Sequence, residues 1–515
     1  VLSVESYEQT ICFGFLQWAE KQPKRTAVRM GSSEMSYGDL ADTAQKVARL
    51  LVDNHSEGKR IGIRMQNSLD FLACFYGIVL AKAIAVPLSH EVSDQQLPEI
   101  AAHLKIDQVW TAMPDLESDQ VRSALELERD ENKDVDKVAK EPFRLPALRG
   151  DDLFYMAVSS GSTGKPKGIL RSHRSWVDSF RQMRQEFHIG ESDRLLLPGQ
   201  LFYSATLISA LQALYEGAEV VLLPRFSVQE TADMLALPDI TTAFMVPTML
   251  AKLLARFEQK GIQPPFRTLP FTCITAGSKL EMSTKQKWLT YFPNCRLYEY
   301  YGAAELSFVS ILKPDEQLRV PNSVGRAFAG VDIIIRDEQG VPTGQGQIGE
   351  VYIASSMVAQ GYGHLGAEAF LTPVDGSYSV GDMGYVDEEG YLYITGRKQD
   401  LIIRGGVNIF PAEVEEAFAE SPYFAKVVVF GVPDQVLGES IVAACLPRER
   451  HAAMELAEIE KKGREWLTGR LPLWKQPDHY WQLDALPLGS TGKIDRARIK
   501  RMFLAEQRED GEHGS

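Results

Sequence analysis

Short apolar runs alternate with amphipathic stretches through the first half of the chain. Runs of strand length lie at residues 60–65, 83–88, 108–112, 153–159, 220–224, 242–247 and 272–276. Between them apolar residues recur at helical spacing; within 40–52 the set is Leu40, Ala44, Val47 and Leu51. Strands alternating with helices predict an α/β fold, a large N-terminal domain of stacked, mostly parallel sheets flanked by helices. The stretch nearest to a membrane span, 71–88, is interrupted by Gly77, Lys82 and Pro87. It parses as a buried helix followed by a buried strand, so no membrane span is expected. Between 115 and 140 Glu, Asp and Lys displace large apolar residues, which predicts an exposed helix or loop.

The pattern changes twice further on. From about Val331 it is β-rich, with turns at Asp337-Glu338-Gln339-Gly340 and Asp387-Glu388-Glu389-Gly390, and a small β-barrel-like subdomain is expected. After Gly396-Arg397 come Ile402-Ile403-Arg404-Gly405-Gly406, a helix over 411–420, and strands over 427–431 and 441–446. Pro411 followed by acidic residues marks a helix start: its fixed φ is already helical, and carboxylates complement the helix dipole. A boundary near Lys398 divides the chain into an N-terminal domain, 1–397, and a small α+β domain, 398–515, with a polar, fraying end.

Size and charge narrow the function. At 515 residues the chain exceeds what one hydrophobic core supports, so two or more domains are expected. A net charge of −14 without a basic stripe argues against nucleic acid, so an anionic ligand must be held by local groups. The cysteines Cys12, Cys74, Cys273, Cys295 and Cys445 are scattered and odd in number, which reads as reduced thiols without a zinc cluster. With no secretory signal at the start of the given sequence, a cytoplasmic location is the expectation.

One tetrapeptide occurs twice, as Ser162-Thr163-Gly164-Lys165 and Ser490-Thr491-Gly492-Lys493. The first copy lies within Ser159-Ser160-Gly161-Ser162-Thr163-Gly164-Lys165-Pro166-Lys167-Gly168. Its glycines let backbone N–H groups close on an anion, its hydroxyls donate hydrogen bonds, and two lysines add positive charge. Neither copy is a Walker-A loop. That loop needs Ser or Thr after its lysine and then a helix, whereas Lys165 precedes Pro166 and Lys493 precedes Ile494.

Residues 153–168 resemble the phosphate loop of the adenylate-forming superfamily, which contains acyl-CoA synthetases, peptide-synthetase adenylation domains and luciferases. The resemblance covers essentially the whole chain. Thr275-Ala276-Gly277-Ser278, Tyr301-Gly302-Ala303-Ala304-Glu305, Gly381-Asp382, Gly396-Arg397, Gly405-Gly406-Val407-Asn408-Ile409 and Gly492-Lys493 follow in the family's order. It implies that Ser159, Ser160, Gly161, Ser162, Thr163, Gly164 and Lys167 cradle the phosphates of ATP. Ala276, Gly277 and Ser278 are implied at the adenine, with Tyr300, Tyr301, Gly302, Ala303 and Ala304 around it. Asp382 is implied at the ribose hydroxyls and Arg397 beside ribose and phosphate. Glu305 would help hold Mg²⁺, since a carboxylate near phosphates is tolerable with a cation between them. Lys493 is implied as the catalytic lysine, with Glu305 and Lys167 as the other catalytic charges. An ammonium between attacking carboxylate and α-phosphate offsets repulsion where it is greatest. His173 reads as structural, because an already ionised carboxylate needs no base.

Five positions depart from the commonest family residues: Ala304 in place of threonine, Tyr203 near a frequent histidine, Val380 for threonine, Gln399 at the hinge, and Leu488 for a basic residue. None removes the charges at Lys167, Glu305, Asp382 or Lys493. From Pro198 to Tyr215 there is no Asp or Glu, and an unpaired substrate ammonium there would be costly. Amino-acid-activating members of the family hold that ammonium with an aspartate in this segment, so the resemblance implies an acyl pocket with Tyr203, Ser204 and Thr206 instead. Residues 405–415 look like the CoA-ligase version of their segment, with Gly405 and Gly406 opening a channel for the pantetheine arm.

The resemblance thus implies an AMP-forming acyl-CoA synthetase, an acid–thiol ligase using ATP, Mg²⁺ and CoA as co-substrate on a small-molecule carboxylic acid, a fatty acid being preferred. Its C-terminal domain would turn about Gln399 between two half-reactions. The alternatives are an aryl-acid CoA ligase, acyl transfer to a free-standing carrier protein, and a non-catalytic nucleotide sensor motivated by Ala304 and Leu488; a homodimer is left open.

Overall fold

The structure, a computed structural model, describes residues 7–116, 144–160, 166–363, 373–487 and 494–513. The charged stretch expected over 115–140 lies almost wholly outside them. Two large sheets dominate the first part of the chain. One has nine strands in the order Arg326–Ala327, Ser307–Leu312, Cys295–Ala303, Phe271–Ala276, Thr242–Phe244, Arg194–Leu197, Glu219–Leu222, Thr26–Met30, Ser33–Ser36. The run from Cys295–Ala303 to Thr26–Met30 is parallel throughout, and antiparallel strands close both edges. The other has six, in the order Gly361–Tyr362, Pro166–Ser172, Leu153–Ser160, Ile84–Pro87, Arg60–Ile63, Gln108–Trp110, the last four parallel.

The largest hydrophobic core joins both sheets, taking Val28, Val220 and Ile274 from one and Ile61, Phe154 and Ile169 from the other. Between 71 and 88 the chain forms the helix Leu69–Leu80 and the strand Ile84–Pro87, as the interrupted apolar run predicts. Every residue from Phe71 to Leu80 is buried, as expected of a helix that is apolar all round. A Cβ on Gly77 would lie 2.4 Å from the Val47 side chain, so this glycine lets Leu69–Leu80 approach its neighbour. That neighbour, Tyr37–Asp53, starts three residues before the apolar periodicity does, because Ser36 and Asp39 form a reciprocal capping box. No helix among the described residues is long and apolar enough to cross a membrane.

The β-rich region past Val331 is a four-stranded antiparallel sheet, Asp332–Arg336, Gly349–Ala354, Asp382–Val386 and Leu392–Arg397. Beyond it lies a separate sheet, Val407–Ile409, Ile402–Arg404, Gly438–Pro447 and Phe424–Asp434, with His479–Gln482 parallel to Gly438–Pro447. Its two hydrophobic clusters draw only on residues from Ile402 onward. The helix there does begin at Pro411 but ends at Ala417, short of the expected 420. Past Ala417 the amides of Phe418 and Ala419 donate to carbonyls three residues back, those of Glu415 and Glu416, so the helix tightens into turns.

Candidate functional site

Loops at the carboxyl ends of parallel strands are where open α/β sheets bind ligands, and several candidate residues converge there. The buried strand Phe271–Ala276 exits into Gly277, whose φ of +101° is a backbone state that other side chains rarely adopt. Past it, the Leu280 amide donates to Glu299 Oε1 at 2.8 Å, and Glu299 pairs with Lys285 at 2.6 Å, both buried. The exposed Gly277-Ser278 turn is thus anchored on both sides.

Strand alternation separates the two candidate tyrosines of Cys295–Ala303. Tyr300 packs into the core against Phe308, ring centroids 4.6 Å apart. Tyr301 takes the other face and donates its hydroxyl to Asp382 Oδ2. Arg397 Nε donates to Asp382 Oδ1 at 3.1 Å, the two residues being paired across adjacent strands. Asp382 is only 6% exposed, yet a carboxylate has about four lone-pair sites, so capacity remains for further donors. Burial first, and then the Asp382 charge, hold the Tyr301 phenol well above its ordinary pKa, so it acts as a neutral donor. Gly302 is required by the neighbouring strand. A Cβ there would lie 1.9 Å from the Ser307 carbonyl oxygen, at a break in the register with Ser307–Leu312.

Glu305 sits in the turn after Ala304. Its Oε1 accepts from the Tyr362 hydroxyl at 3.2 Å, and Lys167 Nζ lies 5.5 Å from the centre of the Tyr362 ring. The Glu305 carbonyl accepts from the Ala359 amide at 2.7 Å. Arg171 donates from Nη1 to the Ala304 carbonyl at 2.9 Å and from Nη2 to the Met357 carbonyl at 2.6 Å. Sequence reasoning missed both Tyr362 and Arg171. The available signal was a basic residue two pairs of positions beyond Lys167, on the same face of Pro166–Ser172. Ser159 pairs with Lys167 across the antiparallel strands, and Ser160 with Pro166. Gly161, Ser162, Thr163 and Gly164, as well as Leu488 and Lys493, lie outside the described residues.

The candidate acyl segment lies beside the same strands. Tyr203 precedes the helix Ser204–Tyr215, its ring centre 4.2 Å from that of Phe202. Ser204 Oγ and the Tyr155 hydroxyl are 2.8 Å apart, and Thr206 is buried. His173 is fully enclosed: its ring stacks on Phe154 at 4.7 Å, and Nδ1 accepts from the Ile11 amide at 3.3 Å. Burial pushes its pKa down to about 3, so the imidazole is neutral and structural.

In the C-terminal part, Gly405 and Gly406 form the two-residue turn between Ile402–Arg404 and Val407–Ile409. Their φ values of +58° and +79° are those of a type I′ hairpin, which by itself calls for glycine. No atom lies within 4 Å of a Cβ built on either. Gln399 lies in the short turn Lys398–Asp400, next to the 2.9 Å ion pair of Lys398 with Glu350. Ion pairs Lys279–Glu416 at 3.2 Å and Lys426–Glu281 at 3.6 Å join the Gly277 loop to this C-terminal part.

No group of three His, Cys, Asp or Glu among the described residues could cage a metal. Glu305 as a lone carboxylate fits Mg²⁺, which is held by one or two carboxylates together with substrate phosphates.

The sequence matches the AMP-binding enzyme family over residues 15–363 and the AMP-binding enzyme C-terminal domain over 413–493. It is 34% identical to the uncharacterized acyl-CoA ligase YhfT of Bacillus subtilis, covering 96% of this chain and 98% of that one. Identity is 27% to the long-chain-fatty-acid–CoA ligase FadD13 of Mycobacterium tuberculosis, covering 92% and 93% of the two chains. Among solved structures, o-succinylbenzoate CoA synthetase of Bacillus subtilis, in complex with its acyl-adenylate, superposes with a TM-score of 0.80. That match covers 95% of this chain and 97% of the other at 24% identity, and it establishes the shared fold.

Proposed function

The chain belongs to the AMP-binding enzyme family and is an acyl-CoA ligase, and we propose that the acid it activates is a fatty acid. Its co-substrates are ATP with Mg²⁺, and CoA. The observation that carries the reading is the meeting of Tyr301, Asp382 and Arg397 beside the Glu305 turn, at the carboxyl ends of the parallel strands. Asp382 receives the ribose hydroxyls, Tyr301 flanks the base, and the Gly277 turn meets its edge. Lys167 and residues 159–164 hold the phosphates, and Glu305 holds Mg²⁺. The cation, when bound, draws charge from the phosphate oxygens.

In the first half-reaction a carboxylate oxygen bonds to the α-phosphorus and the bond to pyrophosphate breaks, giving the acyl-adenylate. Lys493 lies between the two anions at that moment. The domain over 398–515 then turns about Gln399, withdrawing Lys493 and bringing the Gly405-Gly406 hairpin to the site. The sulfur of CoA bonds to the acyl carbon, AMP leaves, and the thiol proton passes to solvent.

The preference for a fatty acid rests on assigning Tyr203, Ser204 and Thr206 to the acyl pocket, in a segment without a charged side chain from Pro198 to Tyr215. A charged group entering there would lose its hydration with no partner from that segment. The test is CoA-dependent AMP release over short, medium, long and aromatic acids. Highest kcat/KM on medium or long chains is expected. Highest kcat/KM on an aromatic acid makes the enzyme an aryl-CoA ligase instead, and acyl transfer only to an added carrier protein removes CoA from the account.

A further inference from the structure

We propose that Arg171 is a positioning residue for Glu305, and through it for Mg²⁺; this rests on the assignment of Glu305 as the metal carboxylate. Arg171 is 1% exposed, and among the described residues no carboxylate pairs with it. Burying a guanidinium without a directly paired carboxylate is costly, the Glu305 charge acting on it only from beyond contact, so its bonds must supply something a neutral residue would not. Burial pulls its pKa down to about 10, which leaves it charged at neutral pH.

The two carbonyls it grips belong to the two segments that frame Glu305. The Ala304 carbonyl precedes Glu305 directly, and the Met357 carbonyl opens the stretch whose Ala359 amide bonds the Glu305 carbonyl and whose Tyr362 hydroxyl bonds its carboxylate. The circuit closes on the strand that bears Arg171: the Gly363 amide donates to the Gly168 carbonyl at 2.7 Å, and Lys167 lies against Tyr362. Arg171 thus ties the strand carrying Lys167 to the turn carrying Glu305, fixing the spacing of two charges that must face one triphosphate. A planar fork with donors at fixed angles suits this, and a flexible ammonium holds two carbonyls less rigidly.

Arg267 is the internal control. It too is buried and donates to carbonyls, those of Leu235, Leu237 and Ile240, but it stands over Phe271 beside a separate hydrophobic cluster that includes Leu235, Ile240 and Phe271 and not the surroundings of Glu305. If Arg171 were only a structural arginine, R171M and R267M would behave alike.

The experiment combines hydrogen exchange of the ligand-free protein with calorimetric titration of ATP, with and without Mg²⁺, in the absence of acid and CoA. In R171M the Ala359 amide exchanges faster, and the tightening of ATP binding by Mg²⁺ falls by about 10- to 100-fold, the usual effect of removing a group that orients a metal ligand. R171K falls between R171M and the unaltered enzyme, and R267M loses thermal stability while keeping both properties. Unchanged Ala359 exchange and Mg²⁺ dependence in R171M, or equal shifts in R171M and R267M, overturn the proposal. Should R171M not fold, R171K decides by the same criteria. E305Q separates the two levels: if it keeps normal Mg²⁺ dependence, the assignment of Glu305 fails, and if it alone shifts, only the role of Arg171 fails.

Discussion

Tyr301 and Asp382 stand eighty-one residues apart and are joined by a hydrogen bond from phenol to carboxylate. With Arg397 on the other oxygen, the carboxylate is held in one orientation before any nucleotide arrives. Y301F removes this bond while keeping the ring. A hydrogen bond to a charged group contributes about 1.5–3 kcal/mol, and Tyr301 is half-buried, so the lower figure applies. The KM for ATP in acid-dependent pyrophosphate release should rise by about ten-fold. An unchanged KM would mean that Asp382 needs no such support.

Two glycines in site motifs differ in the physical demand on them, and alanine should distinguish them. G302A forces a Cβ onto the Ser307 carbonyl, an overpacking that costs about 1–3 kcal/mol or more. G406A meets no atom within 4 Å and bears only the left-handed backbone, about 1–2 kcal/mol. Thermal unfolding should show the larger drop for G302A, confined to the N-terminal part if the two parts melt separately. By contrast G406L adds bulk at the hairpin and should block the CoA step alone, leaving adenylate formation intact.

The fold was legible where one physical signal dominated. Apolar runs mark four strands of the six-stranded sheet and three of the nine-stranded one, and Lys82, at positive φ, stands between the helix and the strand of the apolar stretch 71–88. Edges were less legible: the Ser36–Asp39 capping box lies outside the hydrophobic period, and the helix begun at Pro411 tightens into turns after Ala417 although its composition would continue it. Within the site, Tyr301, Asp382 and Arg397 stand out as motif residues. Their mutual bonding is set by sheet register, which no local pattern encodes. Arg171 and Tyr362 escaped notice for the same reason, since their importance lies in the carbonyls and carboxylate brought to them from elsewhere in the chain.

Acid should expose the buried imidazole of His173. Its folded pKa of about 3 lies below the ordinary 6.5, so the unfolded chain binds the proton more readily. The stability this residue contributes is present above pH 6.5 and is lost as pH falls from there toward 3. By about pH 5 the loss amounts to roughly 2 kcal/mol. H173N keeps an acceptor for the Ile11 amide but carries no titrating group. It should be less stable at neutral pH, yet lose less on acidification; equal acid slopes in urea unfolding would contradict this.

The catalytic lysine should serve one half-reaction only. K493A is expected to abolish adenylate formation, while thioester formation from supplied acyl-adenylate and CoA proceeds near the normal rate. Equal loss of both steps would remove the two-orientation mechanism.

The most direct measurement follows both nucleotide products with one acid, first without CoA and then with it. The account predicts acid-dependent release of pyrophosphate without CoA, limited to about one turnover by retained adenylate, then AMP and acyl-CoA in equal amounts once CoA is added. Release of ADP and phosphate, or no acid-dependent pyrophosphate with any acid in the panel, would contradict it.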